Sequence, residues 1–278
     1  MCGTIINVIN NKGGVAKTAT AVNAAAALAR AGKKTLLIDN DTQCNATRLL
    51  LQNEQIAGSL YDIYDPGQEE ANLNNCIYVT NTKNLDCLPN KGATGSLALK
   101  MIQQMLSEGT KDQLYIFRNK LRNYAINNYD FVFIDNPPNL EIFVMCALLS
   151  SDFVIIPNDS GSRASLEGLF SAVEFIAEIR NNGNPDLKLL KILVTKLNKK
   201  LLVSRSIHEQ TVRYFGKERV FQTVIPINTD VQKAELEAQT VFQFRSNAPA
   251  AIAYHDLAEE IMQLIKQKHN ESGLPLGH

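Results

Sequence analysis

The segment that decides the fold lies near the start of the chain and reads TIINVINNKGGVAKTAT, from Thr4 to Thr20. A β-branched run (4–9) predicts a buried strand, a turn with two adjacent glycines follows it, and an alanine-rich stretch predicts a helix. This order cradles nucleotide phosphates, because glycines let backbone N–H groups approach closely and the helix N-terminus carries partial positive charge. The segment therefore predicts a nucleotide site formed by Lys12, Gly13, Gly14, Val15, Ala16, Lys17, Thr18 and Ala19.

Two lysines stand in this turn, and we expect them to have different roles. Lys17 can reach the β- and γ-phosphates, and the hydroxyl of Thr18 can ligate Mg²⁺. The ordinary pattern G-x-x-x-x-G-K-[ST] fails at both outer positions, Asn11 and Ala16, and Lys12 is an additional lysine. Lys12 is poorly placed for the phosphates of its own subunit, but it could cross a dimer interface to a partner's nucleotide. The alternative is a solvated lysine beside a structural turn.

Further segments extend the pattern along most of the chain. Residues 36–47 read LLIDNDTQCNAT, 131–140 read FVFIDNPPNL, 166–169 read LEGL, and 250–261 read AAIAYHDLAEEI. Together with the turn they resemble the ParA/MinD group of deviant-Walker P-loop ATPases, most closely its ParA/Soj branch. The resemblance implies an α/β P-loop NTPase fold in which a mostly parallel twisted sheet is flanked by helices on both faces. It also implies Mg²⁺-dependent hydrolysis of ATP by a protein that forms a homodimer with ATP.

Aspartates at or just after strand ends complete the expected chemistry, since open α/β sheets bind ligands at that edge. Asp135 ends the apolar run 131–135, from which a Walker B aspartate contacts Mg²⁺, and a buried carboxylate without a partner would be costly. The resemblance implies that Asp41 positions or polarises the attacking water and that Asp39 supports the loop and the metal shell. A helix-cap or turn role is the alternative for both. The expected catalytic residues are Lys12, Lys17 and Asp41, and the expected metal site is Thr18, Asp39 and Asp135.

The chain departs from the family pattern at several positions. Ala16 replaces the usual glycine before Lys17; its Cβ is tolerable at a negative φ, but it can crowd the β-phosphate and slow turnover. Thr42 and Cys44 stand where the family has Pro and Gly, and Asn136 replaces a residue that is often Thr, Cys or Ser. A relative that binds nucleotide without hydrolysing it is therefore an alternative, against which the retained lysines and aspartates argue.

Binding to DNA is implied by the resemblance, since in this group the ATP dimer binds DNA without sequence preference and a ParB-type centromere-binding adaptor stimulates hydrolysis. The chain has 28 Lys+Arg and 28 Asp+Glu, so DNA binding requires a local basic patch. Ile227 and Asp230 stand where many relatives have arginines of the DNA-binding face. The best candidates for phosphate contacts are Lys196, Lys199, Lys200 and Arg205, with a solvated basic loop as the alternative. Asn198 is a candidate for contact with adenine.

Strand and helix patterns alternate along the chain, which predicts a single ATPase domain over residues 1–269 without a linker. Strands are predicted at 4–9, 35–39, 131–135, 153–157 and 189–195, with a shorter one at 223–225. Helices are predicted at 17–31, 97–106, 113–127, 165–180, 205–215 and 248–268. The polar stretch 51–83 is predicted to be a solvated connection with one short helix, and 270–278 a disordered tail.

Composition and apolar runs bear on location. Five scattered cysteines without a C-x-x-C pattern predict reduced cytosolic thiols and argue against a metal site. No signal peptide is visible, and the apolar stretch 142–157 is too short to span a bilayer. With the resemblance, this predicts a cytoplasmic, nucleoid-associated protein without stable membrane association.

Two alternatives to DNA positioning stay open at this point. One is a MinD-like membrane-associated positioning ATPase, because Leu257, Ile261, Leu264 and Ile265 form an apolar stripe like that of a membrane-surface helix. A helix that faces the core explains the same stripe equally well. The other is ParA-like positioning of a protein cargo, since the sequence does not identify the cargo.

Overall fold

A computed structural model describes residues 3–52, 54–65, 67 and 72–271 of the chain. Its strands are β1 (Thr4–Val8), β2 (Thr35–Asp39), β3 (Tyr78–Val79), β4 (Leu85–Leu88), β5 (Phe131–Asp135), β6 (Phe153–Asp159) and β7 (Lys188–Thr195). Within the described residues these strands form one seven-stranded sheet in the order β3-β4-β2-β5-β1-β6-β7. Every neighbouring pair is parallel except β3 with β4. The mostly parallel sheet expected from the sequence is confirmed.

Most of the longer α-helices of the described residues are predicted by the sequence. The full set is α1 (Lys17–Arg30), α2 (Asn45–Leu50), α3 (Leu60–Tyr64), α4 (Gly95–Glu108), α5 (Asn123–Asn128), α6 (Ile142–Ser150), α7 (Ala164–Asn182), α8 (Leu202–Phe215), α9 (Thr229–Leu236), α10 (Val241–Arg245) and α11 (Pro249–Glu271). The predicted helices at 17–31, 97–106, 165–180, 205–215 and 248–268 are confirmed as α1, α4, α7, α8 and α11, with small shifts at their ends.

The sheet separates two hydrophobic clusters, because successive side chains of a strand point to opposite faces. Ile5 and Ile9 join the cluster that contains residues of α6 and α7. Ile6 and Val8 join the other, which contains the buried alanines of α1 together with residues of α10 and α11. Small side chains let α1 lie close to both the sheet and α11. The prediction of helices on both faces is therefore confirmed.

The helix predicted at 113–127 is present with irregular turns, and one predicted strand is absent. Residues 112–128 are helical throughout: a 3₁₀ turn (Asp112–Tyr115) and a π-helical turn (Arg118–Arg122) lead without interruption into α5. The wide π turn coincides with long-range contacts, in which Arg118 donates to the carbonyl of Leu149 and Arg122 pairs with Asp152 at 2.6 Å. No strand is assigned at the predicted 223–225 within the described residues, but Ile225 forms backbone hydrogen bonds with Val194 and Leu197, and Leu197 and Pro226 form an isolated bridge.

The polar stretch 51–83 contains the short helix α3, as predicted, and also the two-residue strand β3. It is not a solvated connection throughout, because Leu60, Ile63 and Tyr64 of α3 are buried in the core. Residues 53, 66 and 68–71 of this stretch lie outside the described residues. The C-terminal helix α11 runs to Glu271, so Asn270 and Glu271 are helical rather than part of a tail. The rest of the predicted tail, 272–278, lies outside the described residues.

The apolar stripe of α11 faces the protein core. Leu257, Ile261 and Ile265 are buried in the same cluster as the alanines of α1, and Leu264 packs against that cluster. The core-facing explanation of the stripe is thus confirmed. Across the described residues, no helix has both the length and the apolar character that crossing a membrane requires.

Candidate nucleotide site

The register of the parallel strands brings the expected site residues to one edge of the sheet. Asp135 at the end of β5 pairs with Val8 of β1 on one side and with Asp39 of β2 on the other. The phosphate loop (residues 10–16) leaves β1 beside these carboxylates and leads into α1. A cavity of about 1200 Å³ opens above this edge. Its lining includes Gly13, Gly14, Ala16, Lys17, Thr18, Ala19, Asp41 and Asn136.

Lys17 is buried at the floor of this cavity. Its ammonium donates a hydrogen bond to the carbonyl oxygen of Lys12 at 2.9 Å, across the phosphate loop. Burial lowers the pKa of Lys17, and the carboxylates of Asp135 and Asp41 oppose that change by favouring the charged form. The residue therefore fixes the loop and presents a cation to the space that the cavity leaves for phosphates.

Asp135 and Thr18 form the part of the site that fits a magnesium ion. Asp135 is fully buried, and in the described part of the chain neither of its carboxylate oxygens has a hydrogen-bond partner of ordinary geometry. Burial and then the charge of Asp39 raise the pKa of Asp135 well above its ordinary value, while the Thr18 hydroxyl and Lys17 lower it. A buried carboxylate without a partner is costly, and a divalent cation supplies the missing charge. The donor set, one carboxylate and one hydroxyl, suits Mg²⁺.

The other two aspartates organise the loop after β2. The Oδ2 atom of Asp39 accepts hydrogen bonds from the backbone N–H and the hydroxyl of Thr47, both at 2.7 Å, and thereby caps the first turn of α2. Its pKa is raised to about 6, mainly by burial. The Oδ1 atom of Asp41 accepts from the backbone N–H of Gln43 at 2.9 Å, and Asp41 lines the cavity. The cap role considered for Asp39 is thus present, and the water-positioning role of Asp41 stays a prediction.

Lys12 points away from the cavity next to it. Its ammonium donates to the hydroxyls of Ser162 at 3.0 Å and Ser165 at 3.2 Å, between β6 and the start of α7. Lys12 is not among the described residues that line the cavity. Helix α7 can pass this close because it carries Gly168, where a Cβ would stand 2.8 Å from the Asn10 Oδ1 and 3.2 Å from the Lys12 Cβ. This contact gives a physical reason for glycine in the segment 166–169.

Two non-glycine residues of the phosphate loop and of the loop after β2 adopt the left-handed conformation. Ala16 has φ = 67° and Cys44 has φ = 55°, and both stand where the family pattern has glycine. The negative φ at which the Cβ of Ala16 would be unstrained is therefore not observed. A left-handed non-glycine residue costs about 1–2 kcal/mol, so the surrounding structure must hold both turns in place.

The candidates on the segment after β7 separate into two places. Lys196 lies at the nucleotide site: its ammonium donates to the carbonyl of Gly14 at 2.5 Å and stands 3.7 Å from Asp159. Its assignment to a DNA-contacting edge stays a prediction. Asn198 does not line the cavity, and its Oδ1 accepts from the backbone N–H of Lys200. Residues 225–229, and not Asn198, line the cavity on this side, where Asn198 was a candidate for contact with adenine.

The remaining basic candidates form what we call the basic segment, Lys199, Lys200 and Arg205. All three side chains are exposed, and within the part of the chain that the structure describes none forms an ion pair. Leu201 and Leu202, 56% and 73% exposed, lie between them. Asp230, one of the positions expected to carry an arginine, is itself 3.4 Å from Arg245.

A buried chain of side-chain hydrogen bonds joins the two carboxylate loops, and the sequence did not predict it. The Asn136 amide donates to Asn7 and its carbonyl oxygen accepts from Asn40 at 2.8 Å. The hydroxyl of Tyr64 in turn donates to Asn40 at 2.9 Å. Asn40 and Asn136 directly follow Asp39 and Asp135, so this chain fixes the ends of β2 and β5 relative to each other. The departure at Asn136 therefore has a structural role.

Comparison with known proteins agrees with this geometry. A family described as "AAA domain" matches residues 3–189. The sporulation initiation inhibitor protein Soj of Bacillus subtilis is 33% identical over 260 residues, which covers 93% of this chain and 98% of that protein. The chromosome-partitioning ATPase Soj of Thermus thermophilus is 34% identical over 274 residues, covering 94% and 96%. The chain belongs to the ParA/Soj family of P-loop ATPases.

Solved structures agree on the fold. An ATP complex of McdA from Cyanothece has a TM-score of 0.80 at 15% identity and covers 94% of this chain and 97% of that one. The family assignment makes the chain an ATPase that uses ATP and Mg²⁺. The P-loop fold predicted from the sequence is confirmed.

Proposed function

We propose that the chain is an ATP-dependent dimerisation switch that binds DNA without sequence preference and hydrolyses ATP slowly to segregate or position DNA. The observation that carries the dimer is the placement of Lys12. Its ammonium lies at Ser162 and Ser165, outside the cavity of its own subunit, although its backbone belongs to the phosphate loop. A half-buried cation beside the phosphate loop, held outside the cavity of its own subunit, supports a contact with the nucleotide of a second copy.

Within one subunit, different residues have different roles in phosphoryl transfer. Lys17 and the loop N–H groups bind and orient the phosphates, and Thr18 with Asp135 would hold magnesium, which neutralises phosphate charge when bound. Asp41 faces the same cavity and would orient the attacking water. Closure of two loaded subunits would bring Lys12 of each to the other, and hydrolysis would remove the phosphate that this lysine contacts. Nucleotide state then controls the population of dimers.

DNA binding is assigned to the basic segment. Its side chains are exposed and unpaired within the described residues, so they are available to phosphates. Contacts of this kind depend on salt and carry no sequence information. A ParB-type centromere-binding adaptor would supply the sequence specificity and stimulate hydrolysis. Association with the nucleoid would follow from the DNA contacts.

The two alternatives differ in what they require of the surface. The lipid alternative was based on the apolar stripe of α11, and that stripe is buried against α1. Positioning of a protein cargo requires the same ATP cycle and DNA contacts with a different adaptor. A DNA surface is therefore favoured over the lipid alternative.

The test is a titration of a long duplex of arbitrary sequence with the protein in Mg²⁺–ATP, Mg²⁺–ADP or no nucleotide, at about 50 and about 200 mM salt. We expect binding that requires ATP and weakens steeply at the higher salt. Anionic vesicles are titrated in parallel. Binding to DNA that is equal in all three nucleotide states would contradict the switch, and vesicle binding without DNA binding would replace DNA by lipid as the surface.

A further inference from the structure

The phosphate loop receives two long-range hydrogen bonds from the end of β7. The hydroxyl of Thr195 donates to the carbonyl of Val15 at 3.1 Å, and the ammonium of Lys196 donates to the carbonyl of Gly14 at 2.5 Å. Two consecutive donors thus meet two consecutive acceptors that are 180 and 182 residues away along the chain. Thr195 is fully buried, and both residues line the nucleotide cavity.

The two carbonyls belong to the residues just before the strained position of the loop. Ala16 follows Val15 and has φ = 67°, a conformation that glycine adopts freely and alanine does not. Such a residue persists only where the surroundings fix it. Lys196 is itself left-handed, with φ = 52°, so both sides of this contact are held in rarely populated backbone conformations.

A carboxylate keeps the ammonium of Lys196 at the loop. Asp159, the last residue of β6, pairs with Thr195 of β7 in the sheet register. Its side chain stands 3.7 Å from the Lys196 ammonium. The cation therefore lies between the Gly14 carbonyl and a carboxylate, on the rigid ends of two neighbouring strands.

We infer that Thr195 and Lys196 are positioning residues. Their two hydrogen bonds, which we call the clamp, hold the phosphate loop in a conformation that alanine at position 16 would otherwise not keep. The clamp acts on nucleotide affinity through the loop, whose N–H groups must point at the phosphates, and not through direct contact with them. It compensates for the missing glycine at position 16. The inference requires only that the chain binds nucleotide, so failure of the proposed dimer or of DNA binding leaves it intact.

A double-mutant cycle between Lys196→Met and Ala16→Gly tests the clamp, with Mg²⁺–ADP as the calorimetric ligand. In the parent chain we expect Lys196→Met to raise the Kd about tenfold, and in the Ala16→Gly background about threefold or less, because glycine removes the strain that the clamp opposes. Lys196→Arg keeps a donor and should restore most of the affinity. Thr195→Val tests the second contact without changing charge and should show the same dependence on position 16.

Cys44→Gly supplies the matched control, since Cys44 is the other left-handed residue that stands where the family pattern has glycine, and neither clamp residue bonds to it. Lys196→Met should cost the same affinity with and without Cys44→Gly. Amide hydrogen exchange of residues 13–17, measured without nucleotide, should accelerate in Lys196→Met and change less when Ala16→Gly is added. Equal losses of affinity in the parent and Ala16→Gly backgrounds would overturn the clamp and assign Lys196 to direct phosphate contact. Unchanged affinity in both Lys196→Met and Thr195→Val would also overturn it.

Discussion

The nucleotide cleft and the basic segment hold their charged side chains in opposite ways. In the cleft, by which we mean the nucleotide cavity, Lys17 is only 7% exposed and Asp135 is fully buried, and a long-range hydrogen bond from Thr195 holds the phosphate loop that precedes Lys17. In the basic segment, Lys199, Lys200 and Arg205 are exposed and without ion pairs among the described residues. A change in the cleft therefore alters geometry as well as charge, whereas a change in the basic segment removes charge alone. Substitutions should rank accordingly.

Lys17→Ala should have the largest effect. It removes the cation of the phosphate site and the hydrogen bond to the Lys12 carbonyl, so Kd for Mg²⁺–ATP should rise more than about 100-fold. Titration calorimetry measures the change. Lys33→Ala, at a lysine before β2 and outside the cavity, is the control and should bind as the parent does. Tight ATP binding by a folded Lys17→Ala protein would show that the cleft is not the nucleotide site.

Asp41→Ala should slow turnover about 100-fold and leave ATP affinity nearly unchanged, because a group that orients water contributes to the transition state more than to binding. Phosphate release in single-turnover conditions measures the rate. The expected consequence is a longer-lived ATP dimer. Normal hydrolysis by this variant would remove Asp41 from the mechanism.

Lys12→Ala should weaken the ATP dimer at least about tenfold, since each subunit no longer has a charge-assisted hydrogen bond to its partner's nucleotide. ATP affinity of the monomer should stay close to that of the parent. Analytical ultracentrifugation across a range of protein concentrations measures the dimer. Ser162→Ala removes one acceptor of the Lys12 ammonium but keeps the cation, so it separates the effect of the charge from the effect of this intramolecular hydrogen bond.

Substitution of Lys199, Lys200 and Arg205 by alanine should weaken DNA binding and leave ATP binding and hydrolysis unchanged. The slope of log K against log salt should fall by about 0.9 for each DNA phosphate that the variant no longer neutralises. A matched triple variant at Lys83, Lys111 and Lys188 removes the same charge from exposed lysines elsewhere. If both triple variants lose DNA affinity equally, net charge and not the basic segment is responsible.

Asp135→Asn should have the smallest effect on the fold, and it should be stabilising without magnesium. The substitution removes a buried carboxylate without a hydrogen-bond partner among the described residues, so Tm of the free protein should rise by about 2–4 °C. The additional stabilisation of the parent by Mg²⁺–ADP over ADP should be lost. Thermal unfolding with and without magnesium measures both. A lower Tm in the free variant would contradict the cost assigned to this carboxylate.

The sequence predicted those parts of the candidate site that depend on the local spacing of residues. The turn around Lys17, the strand ending in Asp135 and the parallel sheet all followed from apolar runs and glycine spacing. Helix α6 was not predicted, because its residues 142–150 are apolar on every side and carry no helical period. The π-helical turn within the helix predicted at 113–127 coincides with contacts of Arg118 with Leu149 and of Arg122 with Asp152, which a local pattern does not contain.

The long-range contacts of the candidate site residues could not be predicted from the local sequence. Lys196 looked like one of several basic loop residues, but it reaches Gly14, 182 positions away. Asn198 was a candidate for adenine by its place after a strand, yet residues 225–229 form the cavity wall. The sequence showed that Ala16 and Cys44 replace two glycines of the family pattern, but it did not show that both residues keep a positive φ.

The account centres on one ATP site completed by Lys12 of a second copy, and the mass of the Asp41→Ala protein in Mg²⁺–ATP tests this most directly. Asp41→Ala should be a dimer in ATP and a monomer in ADP. Addition of Lys12→Ala should return it to a monomer that still binds ATP. A double variant that stays dimeric in ATP, or an Asp41→Ala protein whose mass is the same in both nucleotides, would contradict the account.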